Sequence, residues 1–113
     1  MQRLYWRDWS HLLQRPMEAL VYGHSGAPVL VFPTSRGRFH QWEDFQMVEA
    51  LRHPIERGWL QLFCVDGIDN ETWYDFDKPV SQVLELHGRY EQYLIQEFLP
   101  QLRSCNGGDF VIA

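Results

Sequence analysis

Three shortages in this sequence limit what the protein can be: few basic residues, no long apolar run and few cysteines. Ten Lys and Arg face fifteen Asp and Glu, which gives a formal charge of −5. This balance excludes a general binder of nucleic acids or anionic membranes, because no surface is available to neutralise phosphates. No apolar run approaches the roughly 20 residues of a membrane span. The charged N-terminus also lacks the apolar segment of a signal peptide.

The two cysteines are Cys64 and Cys105. Cys64 lies inside an apolar run, so we expect a buried free thiol rather than a disulfide. A buried thiol has a raised pKa and no access to substrate, which excludes Cys64 as a nucleophile. Together with the missing signal peptide, this cysteine usage predicts a cytoplasmic protein.

The remaining composition is typical of one soluble globular domain. The chain has 113 residues, of which 45% are hydrophobic and 22% charged, and it shows no internal repeat. The first part of the chain predicts three strands. Leu4–Trp9 is aromatic and partly polar, as expected at a sheet edge, and Met17–Tyr22 follows a loop marked by Pro16. After a turn at 23–27, Val29–Phe32 is continuously apolar, the pattern of a strand covered on both faces.

Helices and strands alternate after the third strand. Apolar residues at helical spacing predict a first helix from Trp42 to Ile55, which Pro54 should break or kink near His53 and Gly58 should end. Trp59–Val65 is again largely apolar and predicts a fourth strand.

A polar loop, Asp66–Pro79, leads to a second helix from Ser81 to Leu102, whose last turn Pro100 should distort. We expect His87 to be a core residue on the apolar stripe of this helix, whose other members are Val83, Tyr90, Leu94, Phe98 and Leu102. Asp109–Ala113 predicts a fifth strand.

This order of elements predicts an α/β fold: a mostly parallel sheet with antiparallel N-terminal edge strands and helices on both faces. If the two helices cover opposite faces, the last strand lies beside the Val29 strand and parallel to it, where the strand order reverses. Such a reversal opens a crevice at the carboxyl ends of the strands, the favoured ligand site in open α/β sheets.

Several segments share a family pattern and together extend over most of the chain. They are Gly23–Phe39 (GHSGAPVLVFPTSRGRF), Trp42–Phe45, Leu62–Asp66, Trp73–Tyr74, Tyr90–Leu94 and Glu97–Pro100. In these segments the chain resembles a group of esterases in the α/β-hydrolase superfamily, and the run around Pro33 is the most specific. Pro54 and Gly67 depart from the pattern.

The resemblance implies a partial α/β-hydrolase fold, in which residues 1–113 are the N-terminal portion of a single domain. In such esterases the strand matching Phe110–Ala113 leads into a G-x-S-x-G turn that carries the nucleophilic serine, and the acid and the histidine follow later. None of the three has a counterpart here. We therefore expect this chain alone to be inactive. The parent protein would hydrolyse a small-molecule carboxylic ester through an acyl-serine intermediate, with no cofactor.

The resemblance also implies that the turn after the third strand contributes to an oxyanion hole. Pro33 has no N–H, so the donor must be the backbone of Thr34, Ser35 or Arg36. Alternatively, Thr34 and Ser35 only close a Ser/Thr turn. The pocket candidates are Asp66, Asp69, Trp73 and Tyr74. The two aspartates could instead solvate the loop or cap a helix, and the two aromatic residues could simply cover the sheet.

Two further patterns resemble sites but have simpler explanations. The segment 23–27 (GHSGA) is similar to a nucleophile turn, yet it runs into Pro28 and a strand rather than a helix. It therefore predicts a turn between strands, and Ser25 is not the nucleophile. The five histidines, at positions 11, 24, 40, 53 and 87, have no metal-ligand spacing, so no metal site is expected.

The rival interpretation is a complete, non-catalytic α/β binding or interaction domain that uses the aromatic loop 73–76. Neither interpretation predicts a nucleic-acid or membrane partner. In the esterase interpretation the last strand leaves one edge of the sheet unpaired, and we expect this edge to favour self-association; a paired or covered last strand and a monomeric state would favour the rival interpretation.

Overall fold

The described part of the chain forms one five-stranded sheet. The computed structural model describes residues 1–33, 38–44, 46–68, 78–108 and 111–112. The strands are β1 (Arg3–Ser10), β2 (Arg15–Tyr22), β3 (Ala27–Val31), β4 (Leu60–Val65) and β5 (Val111–Ile112). Their order in the sheet is β1-β2-β4-β3-β5. Strands β1 and β2 are antiparallel, as are β2 and β4, whereas β3 runs parallel to both β4 and β5. The predicted antiparallel N-terminal edge is confirmed, but the sheet is mixed rather than mostly parallel, because two of the four pairings among the described strands are antiparallel.

Three short helices connect β3 to β4: α1 (Gln41–Asp44), α2 (Met47–Ala50) and α3 (Arg52–Glu56). The connection from β4 to β5 contains α4 (Val80–Tyr93), a π-helical segment (Leu94–Phe98) and α5 (Leu99–Cys105). We call these last three elements the long helix, because they follow one another without a break.

Side chains alternate between the two faces of the sheet, and each face has its own core. On one face Val21, Phe63 and Val65 belong to a cluster that includes Phe98 and Leu102 of the long helix. On the other face the neighbouring residues Leu20, Tyr22, Leu62 and Cys64 pack in a cluster with Val48 and Ile55 of the short helices. The prediction of helices on both faces is confirmed, and it explains why Leu62–Val65 of β4 are all both buried and apolar.

The predicted single helix from Trp42 to Ile55 is wrong, and so is its predicted break near His53. The helix is interrupted earlier, at Gln46, whose φ of 60° is left-handed, and again at Leu51. Pro54 lies in the first turn of α3, where the N–H that proline lacks has no helical acceptor in any case. Gly58 ends the helix with a φ of +75°, as predicted.

Three smaller expectations also need correction. Pro16 lies within β2, opposite Trp9, and not in a loop. It is tolerated there because β2 pairs with β4 only from Ala19 onwards, so no ladder bond is lost on that side. His87 is not a core residue: its side chain is 41% exposed and lies 3.3 Å from a Glu91 oxygen. The distortion expected at Pro100 is a π-helical segment that ends two residues before it.

Candidate active site

The reversal of strand order predicted from the sequence lies between β3 and β5. Val29 is opposite Val111 and Leu30 is opposite Ile112, and the two strands run in the same direction. On its other side β3 pairs with β4, which precedes β5 in the chain. The chain therefore extends the sheet first to one side of β3 and then to the other. This arrangement is the one that opens a ligand crevice at the carboxyl ends of the strands.

A small cavity of about 90 Å³ lies at the carboxyl ends of β3 and β4. It is lined by Phe32 and Pro33 after β3, by Gly67 and Ile68 after β4, and by His87 and Tyr90 of the long helix. The long helix thus supplies one wall of the site. The sequence pattern had indicated only loop residues for the lining.

Asp66 is the most constrained polar residue at this end of the sheet. It directly follows β4 and is fully buried. One carboxylate oxygen accepts hydrogen bonds from Arg38 Nε at 2.8 Å, from the Phe39 N–H at 3.3 Å and from the Gly67 N–H at 3.0 Å. The other accepts from an Arg38 terminal nitrogen at 3.0 Å. This bidentate, charge-assisted geometry is the strong form of an arginine–carboxylate pair.

Arg38 extends the network away from Asp66. The same terminal nitrogen of Arg38 donates to Glu18 at 3.2 Å, and Glu18 in turn accepts from the Tyr5 hydroxyl. The hydrogen bond to Asp66 is the main reason why the pKa of the Arg38 guanidinium lies above its ordinary value. On the opposite side the Tyr90 hydroxyl donates to the Asp66 carbonyl at 2.6 Å. Asp66, which directly follows β4, is therefore bonded both to Arg38 and to Tyr90 of the long helix.

The structure describes only one of the residues predicted for the site. Asp66 is at the predicted edge, but it neither solvates a loop nor caps a helix, because its carboxylate is buried against Arg38. The other candidates lie outside the described residues; they are Thr34, Ser35, Arg36, Asp69, Trp73 and Tyr74, and the loop 73–76 of the rival interpretation lies there too. The sequence missed Arg38 and Tyr90, because their contacts with Asp66 span 28 and 24 residues.

The residues that only resembled a site have structural roles. The Ser25 hydroxyl donates to the Gly58 carbonyl at 3.4 Å, in the turn between β2 and β3. Cys64 is a buried free thiol, as predicted, and burial raises its pKa to about 12. Within the described ranges, no group of three or more His, Cys, Asp or Glu side chains could hold a metal ion. In the same ranges, no helix combines the length and the apolar character that crossing a membrane requires.

Comparison with known proteins gives a match at the level of structure. No known family profile matches the sequence, and no curated protein sequence matches it. The structure is similar to that of an IroE-like serine hydrolase from Shewanella oneidensis, with a TM-score of 0.65, 14% identity and coverage of 98% of this chain. An S-formylglutathione hydrolase (FrmB) from Staphylococcus aureus aligns over 85% of this chain, with a TM-score of 0.49 and 9% identity.

The first similarity shows that the chain has a hydrolase-like or esterase-like fold, as the sequence resemblance implied. The chain spans 42% of the length of that serine hydrolase. The activity of the whole protein is therefore a matter for proposal.

Proposed function

We propose that residues 1–113 form the N-terminal portion of a single α/β-hydrolase domain, and that the whole domain hydrolyses carboxylic esters through an acyl-serine intermediate. One observation carries the proposal: β3 and β5 are parallel neighbours at the point where the strand order reverses. In α/β-hydrolases the nucleophilic serine sits on a sharp turn between a strand and a helix, at the top of the sheet. The fold shared with a serine hydrolase supports the same assignment.

The proposed oxyanion hole uses backbone N–H groups of Thr34, Ser35 or Arg36. The described residues on either side of this segment have defined positions: Pro33 lines the cavity two residues after the end of β3, and Arg38 is bound to Asp66. A hydrogen-bond donor that is fixed before the reaction stabilises a developing oxyanion at no reorganisation cost. In this proposal Asp66 positions the turn through Arg38 and does not touch the substrate.

The remaining parts of the site follow from the same proposal. The nucleophilic serine follows β5 in a G-x-S-x-G turn, and the acid and the histidine follow in the later part of the domain. Asp69, Trp73 and Tyr74 line the pocket for the ester. No step needs a metal or an organic cofactor.

The test compares two proteins in hydrolysis of p-nitrophenyl acetate. We expect the 113-residue protein to hydrolyse the ester no faster than buffer, because it holds no nucleophile. The full reading frame that contains these residues should hydrolyse it, and Ser→Ala in its G-x-S-x-G turn should abolish the activity. A reading frame without this motif, or turnover by the 113-residue protein that survives Ser35→Ala, would contradict the proposal.

A pair of substitutions at one position tests the oxyanion hole in the full-length enzyme. Ser35→Pro removes a backbone N–H, whereas Ser35→Ala keeps it and removes only the hydroxyl. If the Ser35 N–H is the donor, Ser35→Pro should lower kcat by about 10²–10³-fold, as expected for one oxyanion donor, and Ser35→Ala should change kcat little. The same comparison at Thr34 and Arg36 identifies the donor. If all three proline variants keep full kcat, the turn has no catalytic role.

A further inference from the structure

A second, larger cleft lies on the β1–β2 side of the sheet. Its volume is about 270 Å³, and it shares no lining residue with the cavity beside the crevice. Its floor consists of buried side chains from β2 and the long helix: Met17, Ala19, Tyr93 and Phe98. Pockets for drug-sized ligands begin at roughly 300 Å³, so this cleft suits a smaller molecule.

Aromatic rings make up much of the lining. Trp6, Tyr93 and Phe98 form a connected group, in which the Phe98 ring centroid lies 6.1 Å from that of Trp6 and 6.3 Å from that of Tyr93. Trp9 also lines the cleft and is 55% exposed. The face of an aromatic ring carries partial negative charge and attracts cations, most strongly for tryptophan.

The charged groups of the cleft have one sign. Asp8 and Glu97 both line it together with His11, and the described lining residues include no Lys or Arg. Glu97 is held in place, since its oxygens accept from the Ser10 hydroxyl at 2.6 Å and from the His11 N–H at 2.9 Å. The pKa of Tyr93 is raised mainly by burial and further by the negative charges of Glu97, Asp66 and Asp8. The cleft therefore has a negative potential.

The backbone of the long helix is irregular at this place. Glu97 and Phe98 belong to the π-helical segment, and both line the cleft. Single π-helical turns inside α-helices occur frequently at functional sites. Here the segment presents a carboxylate and an aromatic ring to the same cavity.

We propose that this cleft binds a small organic ammonium ion, with its cationic group between the aromatic rings that line the cleft and the carboxylates of Asp8 and Glu97. Aromatic side chains that surround a quaternary ammonium group are a recurrent mode of recognition. An anion would be repelled by the two carboxylates, and a neutral apolar molecule would gain nothing from them.

The experiment is calorimetric titration of the 113-residue protein with choline and with 3,3-dimethyl-1-butanol, in which a neutral carbon replaces the charged nitrogen. We expect choline to bind at least about tenfold more tightly, since only choline gains from the aromatic faces and the carboxylates. Equal affinity for the two compounds, or no binding of choline, would overturn the proposal.

Three variants locate the site. Asp8→Asn removes a charge but keeps an oxygen that can accept from Gln101 Nε2, which lies 3.1 Å from Asp8 in the native protein. Asp8→Asn and Trp9→Ala should each weaken choline binding by about five- to tenfold. Trp59→Ala is the matched control, because Trp59 is 61% exposed and lies outside the cleft; it should leave choline binding unchanged. If Trp59→Ala weakens binding as much as Trp9→Ala, the cleft is not the site.

Discussion

At the scale of single residues, the fold depends on a few polar groups that are buried with their partners. Asp66 is the clearest, because it is fully buried and its carboxylate accepts four hydrogen bonds from three residues. The sequence places Asp66 at the carboxyl end of a strand, and that much is predictable. Its pairing with Arg38 is not, because the contact depends on how β3, β4 and the short helices are arranged in space.

Removing the charge of Asp66 should destabilise the protein markedly. We expect Asp66→Asn to lower the free energy of unfolding by about 2 kcal/mol, less than a fully buried pair would lose, because the Arg38 side chain is 39% exposed. Urea unfolding measures the change. Glu85→Gln is the control, since it removes an exposed ion pair with Arg89 and should have no measurable effect. Equal unfolding midpoints for the two variants would contradict the role given to Asp66.

The two thiols should differ in reactivity. Cys64 is buried and its pKa is raised to about 12 by burial, whereas Cys105 is exposed. The attacking species is the thiolate, so at pH 8 the folded protein should release one equivalent of thionitrobenzoate from Ellman's reagent. The protein unfolded in urea should release two. Cys105→Ser should bring the folded-state value to zero; a remaining equivalent would show that Cys64 is accessible.

At the scale of elements, the strands were more predictable than the helices. The continuous apolar patterns of β3 and β4 reflect burial on both faces and locate these strands to within a residue or two. The interruption between α1 and α2 could not be predicted, because Gln46 takes a left-handed conformation that glycine or asparagine normally signals. The spacing of apolar residues indicates which side chains face the core. It does not distinguish one continuous helix from three short helices in a row.

Two glycines should respond to alanine in opposite directions. Gly88 lies inside α4, and a Cβ there would have no atom within 4 Å, so Gly88→Ala should stabilise the protein by about 0.5–1 kcal/mol. Gly26 has a φ of +103°, and its Cβ would lie 2.3 Å from the backbone carbon of Trp59. Gly26→Ala should therefore cost more than about 2 kcal/mol. Thermal unfolding of both variants checks the pair, and a stable Gly26→Ala variant would refute this account of the turn.

At the scale of the whole molecule, the order of the strands follows from simple rules of chain connection. Parallel strands joined through helices, with those helices on opposite faces, place β5 on the free side of β3. The sequence predicted this position on the condition that the two helices cover opposite faces. The residues that line the crevice were less accessible to prediction. His87 and Tyr90 reach it from the long helix, and helical periodicity alone had assigned His87 to the core.

The free edge of β5 should make the protein self-associate. Strand β5 pairs only with β3 among the described strands, and Ile112 is 63% exposed. We expect sedimentation velocity to show association that increases with concentration, and Ile112→Lys to reduce it, because a charge on an edge strand opposes pairing. Ile95→Lys is the matched control on the long helix, where Ile95 is 59% exposed. A monomer at all concentrations would contradict the prediction.

The position of β4 in the sheet has a consequence for synthesis on the ribosome. Strands β2 and β3 are joined by a short turn, yet they are not neighbours, since β4 lies between them. When the nascent chain has emerged only as far as Gly58, it contains β2 and β3 but not β4, the strand that pairs with both of them. The chain between β2 and β4 must close into a loop before these two strands can pair, and such long-range pairing slows folding. We therefore expect the sheet to assemble only after Val65 has left the exit tunnel.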